Sequence, residues 1–479
     1  MRLIFYLLAL LNVLACQQEE KVVVERQWLP IPSEPPNGTP APLPEPQPGF
    51  LGRVWFEETL VQDAQSLSEA DALDTFYVWN QRFNEGATLD ELARNQSGVM
   101  LGLNSVSNDP QLGTIVPVGN TGAIYRVELR DFGQTRQRWT NVIEPNLDIP
   151  ALVDSVRAAQ LRFLLQKRVP WVYASDLLNT VFKANVYPIL IEQPGLSKLD
   201  VFFRTLGVDR QAEFDAERAY CNGIDDSTIT NQKPRTVCFY EGTFGTIWST
   251  QDSDVNGDNP FVNPFPDFSN GGDRIYKHDA QEHRYRLPNG LWGHRLNNAE
   301  RIDGGEFQAA APTSVVFNIK QAAIGLAPDI DYLACHGCHI NGQTLVLKDD
   351  LGPRIQADSS FNGAEKQLGR EIFRFEKIQE RVALDNQITN TAIQFMGIGA
   401  GEDPINSDIV NPFRLQQNLS QISAYFFERP ENFARILRGT NTAAGQVGNL
   451  LNDGGSIGNE TFIGAFFNIG DETNLFRDL

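Results

Sequence analysis

The densest chemistry in this chain stands at Cys335-His336-Gly337-Cys338-His339, a C-x-x-C-H sequence. On a helical turn, positions i, i+3 and i+4 share one face. Two thiols and an imidazole on one face meet the needs of a c-type haem, in which each sulfur bonds a vinyl group and the imidazole takes an axial position on the iron. A zinc knuckle would need a second Cys/His pair at matching spacing, and the sequence has none. A thioredoxin-like C-x-x-C has no use for the trailing histidine. Cys335, Cys338 and His339 are therefore expected to hold one covalent haem c, with His339 as an iron ligand.

The group opposite His339 decides what such a haem does. Met396 lies 57 residues further on in Gln394-Phe395-Met396-Gly397-Ile398-Gly399, a placement like that of the ligand methionine in class I cytochromes c. His278, in Tyr276-Lys277-His278-Asp279, is the rival, and an iron with an open sixth position is the third option. Met100 falls on the apolar stripe of a helix and reads as core. His336 lies inside the attachment loop and points away from its own iron. His283 and His294, like His278, read as loop residues without metal-ligand spacing. Met/His ligation raises the potential relative to His/His, whereas an open site admits ligand binding or peroxidase-like chemistry.

The N-terminus agrees with an exported haem protein. Arg2 precedes an apolar run from Leu3 to Leu11, and Val13-Leu14-Ala15-Cys16 has the form of a bacterial lipobox. The run is too short to span a bilayer and reads as a signal peptide over residues 1–15. Acylated Cys16 would anchor the chain to the lipid bilayer without crossing it. Gln17 rather than Asp after that cysteine favours the outer membrane over the inner, facing periplasm or exterior. Of the five cysteines, Cys221 and Cys238 then remain, and in an oxidising compartment they are expected to form a disulfide. Closing a loop of that size stabilises by roughly 3 kcal/mol.

Stepping outward from these residues, nine of the 27 prolines lie between Pro30 and Pro48, so residues 16–50 read as an extended tether. Residues 51–208 read as a mostly helical domain. In it Leu73–Phe83 is near-helical, Thr88 and Glu91 form a capping box before Leu92, Val99, Met100 and Leu103, and Ala123–Leu129 alternates as a strand. Leu152–Gln166 and the run after Pro170-Trp171-Val172-Tyr173 return to helix. Residues 209–310 are turn-rich, β and loop. Residues 311–479 form the haem c domain, with one amphipathic helix over Ala364–Val382 turning Leu368, Ile372, Phe375, Ile378 and Val382 inward, and further helices over Leu415–Phe427 and Asn432–Leu437. The expected fold is mainly α with a smaller β and loop-rich portion, and a helical cytochrome c-like domain on the C-terminal side.

Asp252, Asp254, Asn256 and Asp258 alternate before and around Gly257 like the first half of an EF-hand loop. The acid at its twelfth position is missing, since Asn263 stands there, so a solvated turn is favoured over calcium. The net charge is −20, from 60 acidic and 40 basic residues; this argues against nucleic acid and against a basic lipid-binding patch.

The run His278-Asp279, Glu282, Leu287-Pro288-Asn289-Gly290-Leu291-Trp292-Gly293 and Arg301-Ile302-Asp303, followed by the C-x-x-C-H, resembles a group of exported single-haem c-type cytochromes of planctomycetes, myxobacteria and related environmental bacteria. Upstream, Phe83-Asn84-Glu85-Gly86, Leu103-Asn104-Ser105-Val106-Ser107, Leu129-Arg130-Asp131 and Pro170-Trp171-Val172-Tyr173-Ala174 extend the resemblance over most of residues 70–345. His283 and Arg284 depart from it where apolar residues are usual, and His294 stands where a tyrosine is common. The resemblance implies a haem c protein, leans by position toward His278, and supplies no reaction or partner.

There is no H-E-x-x-H and no second haem signature. The leading expectation is a membrane-anchored cytochrome transferring one electron to envelope redox partner proteins, a carrier rather than a catalyst. The alternative is a haem-dependent enzyme or sensor with an open iron site roofed by the upstream region. A third reading is an envelope protein whose haem staples the fold.

Overall fold

The structure is a computed structural model. It describes residues 29–457 except 40–41, 44, 46–47, 149–154, 184, 193–198, 217, 228–232, 254–260, 262–263, 266–277, 303–305, 310–330, 340–347, 400–401, 406–408, 410–417, 428, 432, 434–450 and 452–455. At some strand and helix positions, His278 and Cys338 among them, the description covers the backbone alone. Cys16, Asp254, Asn256, Asp258 and the Asn432–Leu437 helix (in the main) thus lie outside the described residues, as does the side chain of Asp252.

Two sheets organise the compact unit that begins at Ile31, so the fold is mixed α/β, with more sheet than the expected mainly α architecture. The first has four strands in the order β2 (Val116–Val118), β3 (Ile124–Glu128), β1 (Thr75–Trp79) and β4 (Trp171–Tyr173). β1 pairs antiparallel with β3 and parallel with β4, and all five of its residues are buried. That corrects the helix expected over Leu73–Phe83. A helix does occupy Glu69–Asp74, but the β-branched and aromatic Thr75-Phe76-Tyr77-Val78-Trp79 becomes a strand. An apolar run buried on both faces carries no period that separates the two states.

The Thr88–Glu91 capping box forms as read, opening a helix over Leu89–Asn104. Leu92, Val99 and Leu103 are buried; Met100 is only half-buried. Phe56 from the Arg53–Ser66 helix packs on Trp79, Trp171 and Phe427 at ring separations of 5.2, 4.9 and 5.0 Å. Tyr425, ending the Leu419–Tyr425 helix, accepts from Gln81 Nε2 at its hydroxyl. Residues from both ends of the unit thus share one core.

The turn-rich region folds into six strands: β5 (Tyr220–Ser227), β6 (Lys233–Gly242), β7 (Gly245–Ser253), β8 (His278–Arg286), β9 (Trp292–Ile302) and β10 (Glu306–Ala309). They lie in sequence order, each antiparallel to the next. Cys221 is paired in register with Cys238 and disulfide-bonded to it. Directly paired residues share a sheet face. Phe239, Trp248, Arg284 and His294 are aligned across β6–β9 on one face, with Glu282, Arg286 and Trp292 beside them. Tyr240, His283, Tyr285 and Arg295 point the other way, against Phe202 and Phe203.

The long amphipathic helix is two helices, Gly363–Ile372 and Phe375–Phe395, broken at Phe373 and Arg374, whose ψ values of 69° and 84° leave the helical region. The break lets Phe373 bury beside Leu351 and Ile355, while Leu368, expected inside, is 41% exposed. The second helix lies on the β8–β9 face through a buried ion pair: Arg286 Nη2 donates to Asp385 Oδ1 at 2.8 Å, and the Trp248 indole and Thr246 hydroxyl donate to the same carboxylate at 2.8 Å each. Among the described residues no helix is long and apolar enough to cross a membrane.

Candidate functional site

The C-x-x-C-H sequence lies on a helix, Asp331–His339, as its spacing requires. Its first turn is fixed to the upstream region. The Tyr332 amide donates to the Phe182 carbonyl at 3.3 Å, and its ring stacks on Tyr187 at 4.3 Å. Phe182 in turn stacks on Tyr187 at 5.8 Å and lies 5.3 Å from the His336 ring. Leu333, Cys335 and His336 are buried, and His339 is half-buried. His336 Nε2 has no hydrogen-bond partner among the described residues, and burial pushes its imidazole down toward the neutral form.

Facing this helix is the pleated face of β8 and β9. One ligand atom each from Glu282, His294 and Cys335 lie within 4.8 Å of one another. His339 Nε2 is 3.3 Å from Glu282 Oε1, and its ring is 6.0 Å from the His294 ring with the planes 24° apart. Sequence register builds this side of the site. Glu282 and Arg284 are alternate residues of β8, and Arg284 pairs directly with His294. Two features hold the histidine in place. The His294 amide donates to the Tyr187 hydroxyl at 3.1 Å. The preceding Gly293 lies under Tyr285, where a Cβ would come within 2.6 Å of the ring.

The electrostatics follow from burial. Burial and the neighbouring His339 and Arg284 keep His294 far below the usual histidine range, and so neutral. For Glu282 burial alone would raise the carboxyl, but the hydrogen bond and charge of His339, with Arg284 and Arg235, outweigh it and hold the group ionised. Burial lowers Arg284 to about 10, against the charge of Glu282.

The Leu287-Pro288-Asn289-Gly290-Leu291 segment is the hairpin turn that sets this register. Gly290 N donates to Leu287 O at 3.0 Å with Pro288 at the second position, and Gly290 takes φ 86°, open to glycine at no steric cost. Asn289 ties the turn to the Asn104 carbonyl at 2.8 Å, and Arg286 Nη1 donates to the Gly290 carbonyl at 2.6 Å.

The other sequence candidates are placed differently. Met396 is buried at the end of the Phe375–Phe395 helix, where its sulfur accepts from Asn104 Nδ2 at 3.5 Å. That amide also donates to the carbonyls of Met100 and Gly113. His278 opens β8, four residues from Glu282. The histidines read as loop residues are on strands: His278 and His283 on β8, His294 on β9. Sequence reading missed Glu282 and His294 as site residues. Their only local signal is the Leu287–Leu291 turn, which fixes where β9 begins relative to β8.

The donor set suits a c-type haem in kind: a thiol and an imidazole one turn apart on a helix, a second imidazole facing them, and aromatic rings alongside. One contact competes. The His339 Nε2 that would meet iron is taken by Glu282 Oε1, so this carboxylate must let go when the imidazole binds metal. No family model, curated protein or solved structure matches this chain.

Proposed function

We propose that the chain is a c-type cytochrome that holds one haem through Cys335, Cys338 and His339 and passes single electrons at a bacterial cell envelope, anchored by acylated Cys16. One observation carries the reading: the C-x-x-C-H sequence is helical, and Cys335 and His339 turn together toward Glu282 and His294. When bound, haem supplies reversible ferric–ferrous chemistry. The chain does the rest. Each thiol adds across one vinyl group, sulfur to one carbon and hydrogen to the other. Phe182 and Tyr187 pack against His336 and Tyr332 of the helix and keep water from it. The acidic surface, net charge −20, steers encounters toward a basic redox partner.

The test is to export the full chain from cells with an active cytochrome c maturation system, then denature it and extract with acidic organic solvent. Haem that stays with the wild-type chain and is lost from Cys335→Ala/Cys338→Ala supports the reading. A haem-replete preparation with no covalent haem sinks it.

The grouping of Glu282, His294 and Cys335 favours a second reading, a bare transition-metal ion held by one thiolate, one imidazole and one carboxylate. A thioether at Cys335 would remove that thiolate. Stoichiometric zinc in haem-free wild-type protein, absent from Cys335→Ser, would favour this reading over haem.

A further inference from the structure

We infer that His294 is the second axial ligand, so that the iron sits between His339 and His294. The inference rests on the haem reading above and extends it to a residue the sequence motifs did not single out. Two metal–imidazole bonds of about 2 Å each, with about 1 Å more from each nitrogen to its ring centre, put the two rings about 6 Å apart. His294 and His339 stand at 6.0 Å with their planes 24° apart. The two ring planes are near-parallel, an orientation open to two imidazoles on opposite sides of one iron.

The strand framework fixes His294 there in three ways. Its pairing with Arg284 selects the face, its amide is held by Tyr187, and the ring is buried, 1% exposed. The rivals fail on placement. His283 points to the opposite sheet face, among Phe202 and Phe203. His278 lies four residues from Glu282 along β8, about 13 Å at the usual strand rise of about 3.3 Å. Met396 has its sulfur on the Asn104 amide, and that amide is tied to two backbone carbonyls. Two imidazoles close the iron to exogenous ligands and lower its potential relative to Met/His ligation, which suits a carrier and disfavours a sensor.

The experiment takes visible and electron-paramagnetic-resonance spectra of the full, exported chain, oxidised and reduced, with His294→Ala, His294→Gln and Met396→Leu. Wild type is expected to be low-spin in both states, without a sulfur-to-iron charge-transfer band and unreactive with carbon monoxide. His294→Ala and the near-isosteric His294→Gln lose the low-spin signature and take up carbon monoxide, and added imidazole restores it to His294→Ala. Met396→Leu keeps the wild-type spectrum. A low-spin His294→Gln that refuses carbon monoxide overturns the assignment, as does a charge-transfer band that Met396→Leu abolishes. In both cases the thioether-haem bands of the reduced protein remain, so the haem reading stands. Their absence from every variant removes that reading, and the ligand assignment with it.

Discussion

Replacing Asp385 with alanine should unfold this protein at much lower denaturant, and the buried contacts set how much lower. Its carboxylate accepts from Arg286 Nη2, Thr246 Oγ1 and Trp248 Nε1 at 2.8 Å each, and both side chains of the ion pair are 2% exposed. Deleting the acid leaves a guanidinium charge in a dry interface, a loss of about 3–5 kcal/mol for pairs of this kind. Arg286 is not stranded altogether. It keeps the Gly290 carbonyl at 2.6 Å, the Thr389 hydroxyl at 2.9 Å and the Trp292 ring face at 3.7 Å. Those contacts place the expected cost near 3 rather than 5 kcal/mol. With a urea slope of about 3 kcal/mol/M, the midpoint falls by about 1 M. The double variant Asp385→Leu/Arg286→Met replaces both charges with apolar bulk and should recover to within about 1 kcal/mol of wild type. Urea unfolding followed by tryptophan fluorescence and by circular dichroism provides both numbers. An Asp385→Ala loss below about 1 kcal/mol, or a double variant as weak as the sum of the singles, would refute the reasoning. The same pair anchors the turn that leads into His294, so the single variant should also weaken any ligation by that residue.

Two further outcomes are expected. Cys221→Ala/Cys238→Ala opens a 17-residue separation and should cost about 3 kcal/mol by loop entropy, read as a urea-midpoint shift that reductant reproduces in wild type. Lys167 is fully buried, its Nζ on the Leu73 carbonyl at 2.5 Å, and burial together with Arg136 lowers it to about 7 despite Asp74 and Glu144. Above pH 7 the unfolded chain then binds a proton that the folded one has lost, so this residue makes stability rise with pH toward the unfolded pKa near 10.5. Lys167→Met should flatten that rise, and equal pH slopes in wild type and variant between pH 7 and 9 would count against it.

What the sequence determined by itself was local. The Thr88–Glu91 capping box, the strand at Ile124–Glu128 and a helix through Cys335 and His339 depend on neighbours within a few residues, where capping and periodicity act. The Cys221–Cys238 pairing followed from the cysteine count and the expected oxidising compartment. Tertiary structure decided the rest. Thr75–Trp79 is a strand because β3 and β4 pair with its two edges in a sheet that buries it on both faces, a choice between states that its own residues do not make. Leu368 faces out, and the helix breaks at Phe373, which buries beside Leu351. Glu282 and His294 meet His339 only through strand pairing across a hairpin, and a slip of one residue would turn them to the opposite face. The proposed haem-attachment residues could therefore be read from a five-residue motif, whereas the group facing them is set by register some forty residues away.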